Sequence, residues 1–421
     1  MERKYKESGI EWIGIVPEYW QSKRFKYSGV FEKGKLPKSS NIERIGLPII
    51  GASEMLGKDA RTYTSDELVP QCKENDILIL WDGANAGITA SGLKGVVSST
   101  AIKYTCLDRC MLPKYAAFLL KYAEHYFKEK VNGTTIPHMN MDFINDIPLL
   151  CPPLAEQQRI ADYLDKKCGE IVSLIALQEQ MIEKLKAYRQ SVITEAVTKG
   201  LDPNAKLVPS GIDWIGEIPE GWLVTDIKKL CISITDGSHF SPERQSEGMP
   251  YITAGDIRGK GIDYNNAMRI RIEDYNLLES QGCRPHKGDI LMVKDGATTG
   301  RVGMMIDNEE CVLLSSVAML TPLPNVDSNY LMYLIQSNVI QAQIQLLMAG
   351  SAMPRVTLKK INSLKGLLIP LNDQHSIASY LDEKCADIDR LIALKLQKIE
   401  SLKDYKKSVI YEAVTGKTII E

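Results

Sequence analysis

Nowhere in the 421 residues is there an apolar run of the ~18 to 20 residues a membrane-crossing helix requires, and the opening MERKYKESGIEW carries charges with no apolar core behind them. The chain therefore reads as soluble and cytoplasmic. It has no surplus of either charge, with 51 Lys plus Arg against 53 Asp plus Glu and a net charge of -2. That excludes a uniformly basic coat of the kind that binds nucleic acid indiscriminately. The nine cysteines are odd in number, scattered and without a C-x-x-C pair, which argues for thiols in a reducing compartment rather than a disulfide framework. The five histidines are too dispersed for a metal cluster. G-x-G-x-x-G is absent, and the G-K-T at residues 416–418 has Tyr411 where a phosphate loop requires glycine. No two side chains make a persuasive nucleophile and base. What is present suffices for a core: 44% hydrophobic and 25% charged residues rule out a disordered or low-complexity chain. The length exceeds one ordinary domain of ~100 to 200 residues, so two domains are expected.

A tandem repeat divides the chain. Residues 8–20 (SGIEWIGIVPEYW) and 210–222 (SGIDWIGEIPEGW) are identical at nine of thirteen positions, at an offset of 202. Further on the offset is 217, and residues 153–198 match 370–415 at 28 of 46 positions without a gap. Between these anchors the match fades to NDILILWDGANAG against GDILMVKDGATTG and GTTIP against GSAMP. The plan is a variable region, a constant segment, and the same again, with the second variable region about 15 residues longer by the difference of offsets. Middles that diverge while tails stay matched point to two regions that differ in what they bind.

The constant segments read as long helices. From Ile160 through Leu164, Ile171, Leu174, Leu177, Met181, Leu185, Tyr188, Val192 and Val197, apolar residues recur at spacings dominated by three and four, with no Pro or Gly between Glu170 and Lys199. Pro153 stands at the entrance and Glu156 in the first turn. The second copy repeats the stripe from Ile377 to Val414. About 40 residues at ~1.5 Å each make a helix too long to hide in either variable domain, and two such stripes bury their faces most simply against each other. The stripe does not choose between parallel and antiparallel pairing. Cys168 and Cys385, at equivalent positions within it, read as core. Asp165 and Lys167, with Asp382 and Lys384, have the D-x-K spacing of some nuclease sites but read more simply as a solvated helix face.

The variable regions alternate short β-rich runs, such as DILILW and DILMV, with glycine turns, and predict mixed α/β or α+β domains rich in loops. Local basic clusters stand out: seven basic residues against two acids between Lys23 and Arg44, and Arg258, Lys260, Arg269 and Arg271 around Asp263. Such patches suit phosphate contacts confined to one surface. The segments 133–140 (GTTIPHMN) and 350–357 (GSAMPRVT) lie at matching positions before each helix with unmatched polar side chains, and are where sequence reading is expected. Arg suits guanine and Asn suits adenine. The candidate DNA-contacting set in the first region is Lys33, Lys35, Lys38, Lys58, Arg61, Trp81, Asn85, Ser98, Ser99, Thr134, Thr135, His138 and Asn140. In the second it is His239, Arg258, Lys260, Lys294, Thr298, Thr299, Ser315, Ser316, Ser351 and Arg355. No catalytic or metal-ligating residue is assigned.

The tandem layout, the W-x-x-x-x-P-x-x-W entrance (Trp12, Pro17, Trp20; Trp214, Pro219, Trp222) and PPLAEQQRIADYLD at residues 152–165 resemble the DNA specificity subunit of type I restriction-modification systems over nearly the whole chain. In the second copy Asn372, Asp373, Gln374 and His375 replace the AEQQ stretch, while Pro370, Leu371, Ile377, Ala378 and Leu381 remain. The resemblance implies an α+β fold with two target recognition domains (residues 1–152 and 201–369), each followed by a long helix (153–200 and 370–416) ahead of a short tail (417–421). The helices would pair as an antiparallel coiled coil with pseudo-twofold symmetry. It further implies a non-catalytic chain that reads a bipartite, asymmetric site on double-stranded DNA, one domain per half-site. Two methyltransferase subunits, and restriction subunits, would be its partners, with S-adenosylmethionine, ATP and Mg on them and no cofactor on this chain. The N-P-P-Y motif of adenine methyltransferases is absent; residues 151–154 read CPPL. The rival readings are a coiled-coil adaptor that binds only proteins and an enzyme that modifies DNA by itself. Neither variable region is strongly basic: residues 1–150 hold 20 basic and 18 acidic side chains, and residues 201–370 hold 16 and 19.

Overall fold

The computed structural model describes residues 3–107, 109–130, 138–348 and 354–420. The chain forms two compact units, residues 1–178 with 396–421, and residues 179–395. Each unit thus holds one variable domain, the first part of the long helix that follows it, and the last part of the other long helix.

The two helices run Leu154–Lys199 and Leu371–Val414, 46 and 44 residues. Their pairing is antiparallel within each unit. In the first, Ile160, Leu164 and Cys168 share a buried cluster with Val409, Ile410, Ala413 and Val414. In the second, Arg189 Nε lies 3.5 Å from Asp389 Oδ1, and Lys395 Nζ lies 3.3 Å from Met181 Sδ, so the partner number falls as the helix advances. The stripe is wider than the seam it feeds. Ile160, Leu164, Ile171, Val192 and Val197 are buried, whereas Leu174, Leu177, Met181, Tyr188, Leu391, Leu394 and Tyr405 are exposed.

Each helix stops on a glycine of positive φ, Gly200 at 74° and Gly416 at 70°, the left-handed conformation that closes helix C-termini cheaply only for glycine. At Gly416 space demands it as well, since a Cβ would sit 2.6 Å from Pro17 Cγ. The G-K-T run is therefore a helix stop packed on the first entrance motif.

The variable domains share one framework. In the first, strands Gly29–Lys33, Ala101–Cys106, Ile77–Leu80 and Thr89–Ser91 lie side by side in that order, all antiparallel. In the second, Cys231–Asp236, Val317–Pro322, Ile290–Val293 and Val302–Met304 do the same. A smaller sheet covers one face, with a parallel pair in each case: Leu47–Ile50 with Gly95–Val97, and Met249–Ile252 with Val312–Leu313. The central strand is sandwiched, which is why ILIL and ILMV are continuous apolar runs rather than alternating ones. Ile77 and Ile79 enter the cluster of helix Pro113–Glu129, while Leu78 and Leu80 enter the cluster of the smaller sheet. Ile290 and Met292 divide from Leu291 and Val293 in the same way. The second domain adds a hairpin, Ile257–Arg258 with Gly261–Ile262, and a helix, Ile272–Ser280.

The motifs at the domain–helix junction are fastenings. Gln157, fully buried, accepts from Leu112 N–H (2.8 Å) and donates to the carbonyls of Cys110 (2.7 Å) and Pro152 (2.8 Å). Gln374 repeats this with Asp327 N–H (2.8 Å), Asn325 O (3.3 Å) and Ile369 O (2.9 Å). Trp20 Nε1 donates to Glu156 Oε2 at 3.0 Å, and Trp222 Nε1 to Asp373 Oδ2 at 3.3 Å. The departure of the second copy from AEQQ thus keeps both the acid and the glutamine that the junction uses. Asp165 and Asp382, read as solvated, each hold a lysine of their own variable domain: Lys114 at 2.7 Å, and Lys260.

Candidate nucleic-acid interface

The central strand of each domain delivers a glycine turn to one edge of the sheet. In the first domain Gly87 N–H donates to Leu80 O (2.8 Å) and Ala86 N–H to Gly83 O (2.9 Å), closing the turn. In the second, Gly300 N–H to Val293 O (2.8 Å) and Thr299 N–H to Gly296 O (3.1 Å) close its counterpart. Two other segments meet each turn. From the loop before the neighbouring strand, Thr100 O accepts from Trp81 N–H (2.8 Å), and Ser316 O from Lys294 N–H (2.8 Å). From the segment ahead of the short helix, Met139 N–H donates to Trp81 O (3.0 Å), and Val356 N–H to Lys294 O (2.8 Å). Single β-bridges, Asp82 with His138 and Asp295 with Arg355, complete the match. The structure therefore joins the two loop motifs that the sequence presents more than 50 residues apart.

The side chains on this shared backbone differ. In the first domain Lys33 Nζ stands 5.3 Å from the centre of the Trp81 ring, and His138 Nδ1 lies 2.5 Å from Asp82 Oδ1. In the second, Lys294 Nζ is 3.2 Å from Asp236 and 3.1 Å from Asp295, and Arg355 Nε is 3.0 Å from Asp295 Oδ1. His239 Nε2 stands 3.9 Å from the same Asp236.

Of the expected contact residues, Lys33, Trp81, Asn85, Ser98 and His138 gather at the first edge, and His239, Thr298, Ser315, Ser316 and Arg355 at the second. Lys35 is tied there by its backbone, donating to Val97 O at 3.2 Å. Ser98 Oγ and Thr100 Oγ1 are 2.7 Å apart, and Ser99 lies between them. Four residues are placed otherwise than expected. Lys294 is 2% exposed and its ammonium neutralises two carboxylates, because an unpaired charge at that depth would be costly. Thr299 is buried and its hydroxyl donates to Gly296 O (2.7 Å), holding the turn. Lys260 is drawn to Asp382 and stands 4.9 Å from the centre of the Tyr333 ring. Asn140 caps the helix Met141–Asp146, accepting from Asp142 N–H at 2.8 Å. Lys38, Lys58 and Arg61 are exposed on the loops around the smaller sheet, and Arg258 pairs with Asp263 at 3.4 Å. Thr134, Thr135 and Ser351 lie outside the described residues.

Asp82, Asp236 and Asp295 also stand at these edges, acids where the sequence pattern points to cations and backbone amides. A signal for two of them existed, since both turns begin Asp-Gly-Ala at the second residue after the central strand. Near the second junction, burial and then the Asp382 carboxylate push the Tyr333 phenol well up, so it remains the donor to Asp382 Oδ1 at 2.8 Å. Among the described residues no group of three or more His, Cys, Asp or Glu is placed to hold a metal ion, and no helix is long and apolar enough to cross a membrane.

Two copies of one loop frame carrying different polar side chains define a two-headed recognition protein. The chain belongs to the type I restriction-modification DNA specificity family, whose domain model matches residues 17–187 and 219–404. It is 28% identical to the type I restriction enzyme MjaVIII specificity subunit of Methanocaldococcus jannaschii, over 98% of this chain and 96% of that one. To the EcoBI specificity subunit of Escherichia coli it is 24% identical, over 89% and 81% of the two chains. A chain solved in work on complex assembly and conformational transition of the type I R-M system superposes with a TM-score of 0.70 at 15% identity, covering 96% of this chain and 99% of that one, and so shares its fold.

Proposed function

We propose that this chain is the non-catalytic DNA-reading subunit of a type I restriction-modification complex, each variable domain reading one half of a bipartite double-stranded site. The observation that carries the reading is the pair of sheet edges: identical backbone connections, with His138, Trp81 and Lys33 on one and Arg355, Lys294 and Asp236 on the other. A reader positions itself through phosphates and specifies through base edges. One frame with exchanged side chains does the first job twice and the second job differently. The near-neutral charge of each domain means that phosphate affinity comes from small patches and from partner subunits.

The exposed apolar residues of the long helices, among them Leu174, Leu177, Leu391 and Leu394, support docking of two methyltransferase subunits, and of restriction subunits where the system has them. S-adenosylmethionine, ATP and Mg belong to those partners, and the complex acts on DNA in the cytoplasm.

Exchanging residues 1–151 for the same region of a relative of known specificity tests the proposal. Mapping methylated bases in cells that carry the chimera and its methyltransferase should show one half-site replaced and the other kept. Replacement of both halves, or of neither, contradicts independent heads.

A further inference from the structure

We propose that Arg355 reads a guanine in the half-site of the second domain, held in its reading pose by Asp295, and that His138 held by Asp82 occupies the corresponding position for the first half-site. The inference rests on the DNA-reading function above and names the residues that carry it.

The geometry is the same twice. The acid is the second residue after the central strand, and its partner is the residue bridged to it from the segment before the short helix. Each partner side chain is 57–58% exposed while its acid is only 25–26% exposed, so one end is anchored in the protein and the other faces outward. At Arg355 the anchored atom is Nε, 3.0 Å from Asp295 Oδ1, and neither Nη1 nor Nη2 makes a hydrogen bond among the described residues. Those two nitrogens are the fork that matches guanine O6 and N7 in the major groove. Asp295 Oδ1 is itself buried and makes no hydrogen bond, so the guanidinium is its compensation on that side. Lys294 beneath, 3.1 Å from Asp295, keeps that carboxylate in place. At His138 a carboxylate oxygen accepts at Nδ1 and leaves Nε2 as the only outward ring nitrogen, a single contact where Arg355 offers two. One device with two different heads reads two different bases.

The test uses the full chain with its methyltransferase. Methylated sites are mapped in cells, and affinity is measured on duplexes varied at each base pair and across salt concentrations. The expectation for Arg355→Gln and Arg355→Lys is that one guanine of the second half-site becomes degenerate, with discrimination at that base pair falling ~10- to 100-fold and the first half-site unchanged. The salt dependence should stay that of the parent, because a phosphate contact and not a base contact lowers the slope, by about one. Asp295→Asn, with the guanidinium still present, should lose several-fold at the same base pair only. His138→Arg should install guanine at the corresponding position of the first half-site. Equal weakening on all sequences with a reduced salt slope would identify a phosphate contact and overturn the proposal. So would an unchanged guanine preference in variants whose melting is that of the parent. If the parent chain itself reads no bipartite site, the functional reading fails first, which is a separate and visible outcome.

Discussion

The two heads part most clearly at one junction of an otherwise common sheet. Ile102 pairs with Lys33 in the first domain and Ala318 with Asp236 in the second, equivalent positions on the neighbouring strand. Lys33 leans over the Trp81 ring, whereas Asp236 meets the ammonium of Lys294, which replaces the tryptophan. Cation and partner have changed places. In the first head the cation is exposed and the aromatic ring is half-buried. In the second the cation is buried between two acids, and the acid that follows, Asp295, is shared with the outward Arg355. The frame tolerates either solution because its backbone hydrogen bonds do not pass through these side chains. The same backbone frame therefore carries two different sets of side chains.

The sharpest way to break this comparison is to remove the two lysines. Lys294→Met removes the buried ammonium that Asp236 and Asp295 share and leaves them only the exposed His239 and Arg355 side chains, and breaking a buried pair in this way costs about 3–5 kcal/mol. Denaturant unfolding of the second unit should shift by that amount. Lys33→Met removes an exposed cation from one ring face and should leave unfolding of the first unit nearly unmoved. Equal shifts in the two units would show that the buried ion cluster has no special weight.

A smaller effect sharpens the likeness instead of the difference. Gln157→Ala and Gln374→Ala each strand one backbone N–H and two carbonyls at the helix entrance, and unsatisfied buried groups cost about 1–3 kcal/mol. The two losses should be similar, because the bonds are the same three in each unit. A large loss in one unit and none in the other would mean the junctions are not equivalent.

These two pairs also mark what could be read without a structure. Long helices, their repetition and the short β-rich runs follow from periodicity and local apolar stretches, which are properties of neighbouring residues. Gln374 reads from sequence only as part of the departure from AEQQ, and its equivalence to Gln157 rests on the three hydrogen bonds that each makes. The candidate site was legible only in part. GTTIPHMN and GSAMPRVT drew notice because copies were compared, and Arg355 and His138 do lie at the edge. The acids that hold them are charges of the opposite sign to the one sought. Lys294 could not be told from a surface lysine, because its burial depends on Asp236, 58 residues away on another strand. Exposure of Leu174, Leu177 and Tyr405 was equally hidden, since spacings of three and four describe a helix face wider than its partner covers.

Thiol chemistry gives the mildest and most selective handle on the two units. Cys110 in the first is exposed, whereas burial pushes the thiols of Cys231 and Cys311 in the second up to about 12, with Asp289 adding to the first shift and Glu309 and Asp307 to the second. Alkylation requires the thiolate, so at about pH 8 a raised value keeps the reactive fraction small even where the reagent can reach. Iodoacetamide should label Cys110 in the native chain within the time that leaves Cys231 and Cys311 unmodified, as read by peptide mass spectrometry. Lys294→Met should then raise labelling at Cys231 and Cys311 at denaturant concentrations where the parent is protected, while Cys110 is labelled as before. Labelling of Cys231 as fast as Cys110 in the untreated parent would mean the second core opens freely, and the contrast between a lightly held first junction and a buried, ion-paired second one would have no energetic basis.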